Sequence, residues 1–102
     1  MILGPVTKQP AETFKRYIDF ARRLQTSPAE AISDKTVTSK NKLTGDDTTS
    51  TMISEPAING TKIEARLKAA GVAGEDHIVQ MRATTDLGNI LEDEFELHIR
   101  ED

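Results

Sequence analysis

The chain has 102 residues, a formal charge of −4, 4% aromatic residues, no tryptophan and no cysteine. That is the length of one domain with a thin aliphatic core and little room for a deep cleft. The absence of cysteine excludes a disulfide framework and thiolate chemistry, and the acidic balance lacks the basic footprint of a nucleic-acid binder.

The chain opens with Met1-Ile2-Leu3-Gly4-Pro5-Val6, which is apolar but short. It lacks the basic start and longer apolar stretch of a signal peptide. No apolar run approaches the roughly 20 residues that span a bilayer. Residues 1–10 are expected to form an N-terminal arm with no obvious place in a core. From Glu12 to Gln25 the sequence conflicts with itself. Phe14, Tyr17, Ile18, Ala21 and Leu24 follow helical spacing, whereas Tyr17-Ile18-Asp19-Phe20 also reads as a strand with Ile18 and Phe20 on one face. Thr26-Ser27-Pro28 ends the segment, and a short helix or turn is expected between residues 25 and 33.

Thr36, Val37 and Thr38 favour a strand across Asp34 to Asn41. Leu43-Thr44-Gly45-Asp46-Asp47 reads as a turn. Thr48 to Ser54 reads as a short Thr-rich strand that Glu55-Pro56 ends. These middle strands are expected at sheet edges, burying little. Asn59-Gly60 is a hairpin signal. Thr61 to Lys68 then alternates strictly, with Ile63, Ala65 and Leu67 on one face and Lys62, Glu64, Arg66 and Lys68 on the other, as a strand with one buried face requires. After a small-residue loop at residues 69–76, His77 to Thr85 puts Val79, Met81 and Ala83 on one face. Asp86-Leu87-Gly88-Asn89 is a turn. Ile90 to Arg100 aligns Leu91, Asp93, Phe95, Leu97 and Ile99, with Asp93 interrupting the apolar face and expected near the strand's open end.

Four segments resemble a family of small immunoglobulin-like phage and prophage structural proteins, the phage fiber-tail adaptor proteins. Lys8-Gln9-Pro10-Ala11-Glu12 looks like the family's opening Lys-x-Pro-x-Glu. Tyr17-Ile18-Asp19-Phe20 with Leu24 is similar to its aromatic-x-Ile-Asp-Phe segment, and Asp34 to Ser39 to its Thr/Val-rich second strand. The stretch from Lys62 to Glu101, with Ala70-Gly71-Val72-Ala73-Gly74 inside it, matches best. The resemblance implies that Tyr17 to Phe20 is a strand, because tertiary context overrides helix propensity. It also implies a virion component that works by binding. Two positions depart from the family pattern. Arg23 stands near a customary tryptophan, and His77 replaces a tyrosine that would bond back to loop backbone in a tyrosine corner.

Catalytic and metal chemistry have little to stand on. His98 alternates with Glu94, Glu96 and Arg100 in a row that could chelate a cation but reads better as a solvated strand face. His77 reads as a corner residue rather than a general base. Asp46-Asp47-Thr48-Thr49 lacks the ligand spacing of a calcium loop, and Gly71 to Gly74 lacks the Lys-Ser/Thr of a phosphate loop. The acidic row Glu92, Glu94 and Glu96 is the most unusual surface feature. It reads either as cross-strand pairing or as a charged docking or anti-aggregation surface.

The expectation is an all-β immunoglobulin-like sandwich of about seven strands over residues 11–102, non-enzymatic and without cofactor or metal. Its leading function is a phage or prophage virion adaptor in the tail or head-tail region, present in many copies and found in the host bacterial cytoplasm during assembly. Its partners would be other virion structural proteins, with neither nucleic acid nor membrane. Candidate partner-binding residues are Ile2, Leu3, Val6, Gly71, Val72, Ala73 and Gly74. A carbohydrate-binding or adhesion module on the same fold is the alternative, though such sites use exposed aromatics that this chain has little of.

Overall fold

The computed structural model describes residues 2–101, with side chains from residue 4 onward. Seven strands form two facing sheets: β1 (Ile2–Lys8), β2 (Phe14–Asp19), β3 (Ile32–Asn41), β4 (Ile53–Asn59), β5 (Lys62–Leu67), β6 (Asp76–Thr85) and β7 (Ile90–Ile99). One sheet has the order β1-β7-β6-β3 and the other β2-β5-β4. All pairs are antiparallel except β1 with β7, which is parallel. This is the strand order of an immunoglobulin-type sandwich, so the predicted fold class is the observed one.

Period-two patterning explains the central strands. Ile63, Ala65 and Leu67 of β5 are buried, as are Val79, Met81 and Ala83 of β6 and Phe95, Leu97 and Ile99 of β7. They meet Ile18, Phe20, Ile32, Val37, Met52 and Ile53 in one core between the sheets. As predicted, β3 and β4 lie at sheet edges. They nevertheless contribute the buried Val37 and Ile53, more than the sequence suggested.

The ambiguous segment is a strand. β2 pairs with β5 from Phe14↔Leu67 to Asp19↔Lys62, and the Phe20 N–H donates to the Thr61 carbonyl at 2.9 Å. Strand geometry buries Ile18 and Phe20 and leaves Tyr17 55% exposed. A helix would have turned Tyr17 inward and Phe20 outward.

Three expectations need correction. The segment read as a free arm is strand β1, paired to β7 with a bulge between Leu3 and Val6. Of the short helix or turn expected at residues 25–33, the turn is what forms. Pro28 has no N–H to donate, and the stretch closes as a turn through Gln25 N–H to Glu30 Oε1 (2.9 Å) and Glu30 N–H to the Gln25 carbonyl (3.0 Å). The helical turns lie elsewhere, at Ala21–Arg23 as a 3-10 turn and at Thr49–Met52, here α1. The Thr-rich stretch is therefore not a strand from Thr48. The hydroxyl of Thr48 bonds that of Ser39 (2.9 Å), and Thr49 Oγ1 accepts the Ser39 N–H (2.9 Å), so both side chains saturate β3 instead of extending a ladder. Strand β4 starts at Ile53 and runs through Pro56, which an edge strand tolerates at a bulge between Ser54 and Ala57. Asp93, last, is buried on the core face, where Arg23 Nη1 reaches its Oδ2 at 3.2 Å.

Candidate interaction surfaces

The sandwich is elongated, 47 × 23 × 22 Å, and its loops gather at two opposite ends. The first end is built by the β1–β2 turn, the β3–β4 connection and the β5–β6 loop. Lys8 ties the first of these to the third. Its side chain is fully buried, and its ammonium donates to the carbonyls of Gln9 (2.7 Å), Pro10 (3.2 Å) and Ala70 (3.3 Å). Burial lowers its pKa and nearby Glu12 opposes that shift. Three carbonyl dipoles offset the cost of desolvating the charge. Glu12 closes the turn by accepting the Gln9 N–H at 2.7 Å. The Lys-x-Pro-x-Glu segment is thus a folding device.

In the β5–β6 loop Gly71 has φ +97°, and a Cβ there would come within 3.0 Å of Ile99 Cγ1. Only glycine meets both constraints. Gly74 N–H donates to the Ile99 carbonyl (2.7 Å), and Glu75 Oε1 accepts the Val72 N–H (2.7 Å). These bonds hold Val72 outward, 67% exposed, with Ala73 and Gly74 also at the surface. Across from them Leu43 of the β3–β4 connection is 93% exposed. Between the two segments lies a groove of ≈ 540 Å³ lined by Asn41, Lys42, Leu43, Thr44, Gly74, Glu75 and Asp76.

His77 is buried at the base of this end. Its Nδ1 lies 3.1 Å from Thr48 Oγ1 and its Nε2 3.4 Å from Glu75 Oε1. Its ring meets the side chains of Thr48 and Glu75, where the corner reading expects loop backbone. Its position on β6 aims the ring at α1 and the loop acid.

Asp76, Glu96 and His98 bring ligand-type atoms within 4.8 Å of one another. Ion pairing explains the grouping. Arg100 Nη2 lies 2.8 Å from Asp76 Oδ1, and Lys42 Nζ lies 3.0 Å from Glu96 Oε1. The Arg100 hydrogen bond holds the Asp76 pKa down. Glu96 is lowered first by its hydrogen bond from His98 and then by that from Lys42. Asp47 is likewise spoken for: it accepts the Thr49 N–H at 2.9 Å and has a pKa lowered by its bonds to Thr49.

The second end gathers the β2–β3 loop, the β4–β5 hairpin and the β6–β7 hairpin. Glu30 staples it. Its Oε2 accepts Thr85 Oγ1 (2.6 Å) and Asn89 Nδ2 (2.7 Å), and its Oε1 accepts the Gln25 N–H. These bonds, that from Thr85 foremost, hold the Glu30 pKa below its ordinary 4.5. A lowered acid pKa contributes stability that is complete above the ordinary value and lost as pH falls through the folded one. Thermal melts from neutral pH down to about pH 3 should show wild type far above Glu30→Gln at neutral pH, with the gap closing on acidification. A pH-independent gap would refute the assignment. Arg23, in place of the customary tryptophan, spans Asp93 and the Glu92 carbonyl (3.0 Å) and stands 5.7 Å over the Phe20 ring. Leu87 and Ile90 are exposed here, at 43% and 63%.

The predicted contact residues divide. Gly74 lines the groove, Val72 and Ala73 are exposed on the same loop, and Gly71 packs against Ile99 and Met52. Val6 is half-buried against the core, and the side chains of Ile2 and Leu3 lie outside the described residues. Sequence reasoning missed Leu43. A leucine in an otherwise polar turn was its one available signal.

Comparison with known families yields a match over residues 8–98 to the family described as Podophage GP4 fiber-tail adaptor protein gp77. No curated protein matches the chain.

Proposed function

This chain belongs to the podophage fiber-tail adaptor family, and on that premise we propose that it joins two virion proteins, one at each end of the sandwich. The observation that carries this reading is the placement of exposed large apolar side chains at both ends. Leu43 lines the groove at one and Val72 is exposed on the β5–β6 loop of the same end, and Leu87 and Ile90 sit on the hairpin at the other, with β6 and β7 spanning the distance between. Exposed leucine, isoleucine and valine around a concavity are the anchors that protein interfaces bury. The family assignment supports a structural role in virion assembly.

Complementation of a phage lacking its own copy of the gene tests the proposal. Leu43→Asp with Val72→Asp should yield particles deficient in one attached component. Leu87→Asp with Ile90→Asp should yield particles deficient in a different one. Buried anchors of this kind are worth about 1–2 kcal/mol each, so attachment should fall roughly tenfold or more in each case. Gel analysis of purified particles reads the result. Normal composition and titre with both double variants would sink the two-ended reading.

A further inference from the structure

The two outer faces of the sandwich present different side chains. Strand-to-strand assembly is discouraged at three of the four sheet edges. β1 carries Pro5 and a bulge. β4 carries Pro56, a bulge and Glu55 at φ +52°. The edge of β3 is occupied where Thr48 N–H donates to the Ser39 carbonyl and Asn41 N–H to the Asp46 carbonyl. Bulges, prolines and covered edges are how sheets avoid strand addition. Three edges are thus closed to strand addition, and the broad surfaces left beside the fourth edge, β2, are the two outer faces.

On the outer face of the four-stranded sheet, Glu92, Glu94 and Glu96 stand in a row along β7. Arg82 satisfies Glu92 (2.7 Å) and Lys42 satisfies Glu96 (3.0 Å). Glu94 lies between them, opposite Gln80, and is in no ion pair among the described residues. It borders a hollow of ≈ 260 Å³ with Thr38, Gln80, Ile78 and Asp47, and Lys40 is the cation of that rim. On the outer face of the three-stranded sheet, Tyr17 projects 55% exposed from β2. Lys62 Nζ lies 4.5 Å from its ring centroid, and Lys15 is two residues along the same face. Neither lysine is in an ion pair among the described residues. The acids of this face are Asp19, held by Ala21 N–H and Thr61 Oγ1, Glu55, paired with Arg66, and Glu64 beside Tyr17.

We propose that copies of this chain associate head to tail, with Tyr17, Lys15 and Lys62 of one copy seated on the Glu94 hollow of the next. An amphipathic ring flanked by two lysines outside any ion pair among the described residues fits a recess whose acid is likewise outside one. The contact is heterologous: each copy offers one face of each kind, so it repeats from copy to copy. The hollow takes Gly45 and Asp47 from the β3–β4 connection, but Leu43, Val72, Leu87 and Ile90 do not line it.

Sedimentation analysis of the purified full chain tests this. At low ionic strength the average mass should rise above 11.2 kDa with concentration, and about 0.5 M salt should return it to that of the monomer. Glu94→Lys alone and Tyr17→Ala with Lys15→Glu should each be monomeric, associating at least tenfold more weakly than wild type, with melting curves that establish an intact fold. Mixed, the two variants should form a dimer that grows no further, because each retains the face the other has lost. A wild-type monomer at every concentration, a mixture that stays monomeric, or variants that still self-associate would each overturn the proposal. Leu43→Asp with Val72→Asp should leave self-association unchanged, which separates failure here from failure of the adaptor reading.

Discussion

Lys8→Ala is expected to lower the free energy of unfolding by about 2–4 kcal/mol. Two losses combine. The stem of a fully buried side chain leaves a cavity, and the carbonyls of Gln9, Pro10 and Ala70 lose a charged donor. Because Ala70 belongs to the β5–β6 loop, the damage extends beyond the β1–β2 turn to the groove end. Lys8→Met retains most of the apolar stem and drops only the ammonium, so it should recover about half of the loss. Chemical denaturation of the three proteins checks this ordering. A Met variant as unstable as the Ala variant would show that the charge alone matters. An Ala variant within about 0.5 kcal/mol of wild type would show that the buried lysine contributes little.

Phe20→Ala should be as severe, at about 3–5 kcal/mol, because the ring is fully buried between the sheets. Tyr17→Ala, three residues earlier, should cost less than about 1 kcal/mol, since Tyr17 is mostly in solvent and lends only its stacking under Lys62. The contrast is informative because helical spacing ranks the two residues the other way round. A helix over residues 12–25 buries Tyr17 with Phe14, Ile18, Ala21 and Leu24 and exposes Phe20. Paired melting experiments on the two variants distinguish the geometries directly, and equal losses would contradict the strand.

That segment also shows where the sequence was readable. Strands β5, β6 and β7 announce themselves because each has one buried and one wet face, which imposes period two. Strand β2 does not, because Phe14 and Ile18 satisfy both periods and only pairing with β5 decides between them. The threonines at 48 and 49 favour a strand by propensity, but their hydroxyls found acceptors and donors on β3 and let α1 turn Met52 into the core. The glycine loop of the groove end was legible from composition. Its partner Leu43 was legible only as part of a turn. Buried charge was the least readable feature. Glu30 is held by a residue 55 positions away and Lys8 by one 62 away, so neither partner appears in any local window.

The parallel pairing of β1 with β7 carries a mechanical consequence. β1 begins opposite the middle of β7, at Glu94, and the two strands run side by side to the groove end. Tension drawing β1 back toward its start and β7 on toward its finish slides the two strands past each other. The bonds between them then bear the load together, in shear, rather than parting one after another as in a peeled hairpin. Forced unfolding is governed by the barrier to that concerted rupture. A sandwich of modest thermodynamic stability can accordingly resist a pull along its length far better than a melting temperature would suggest.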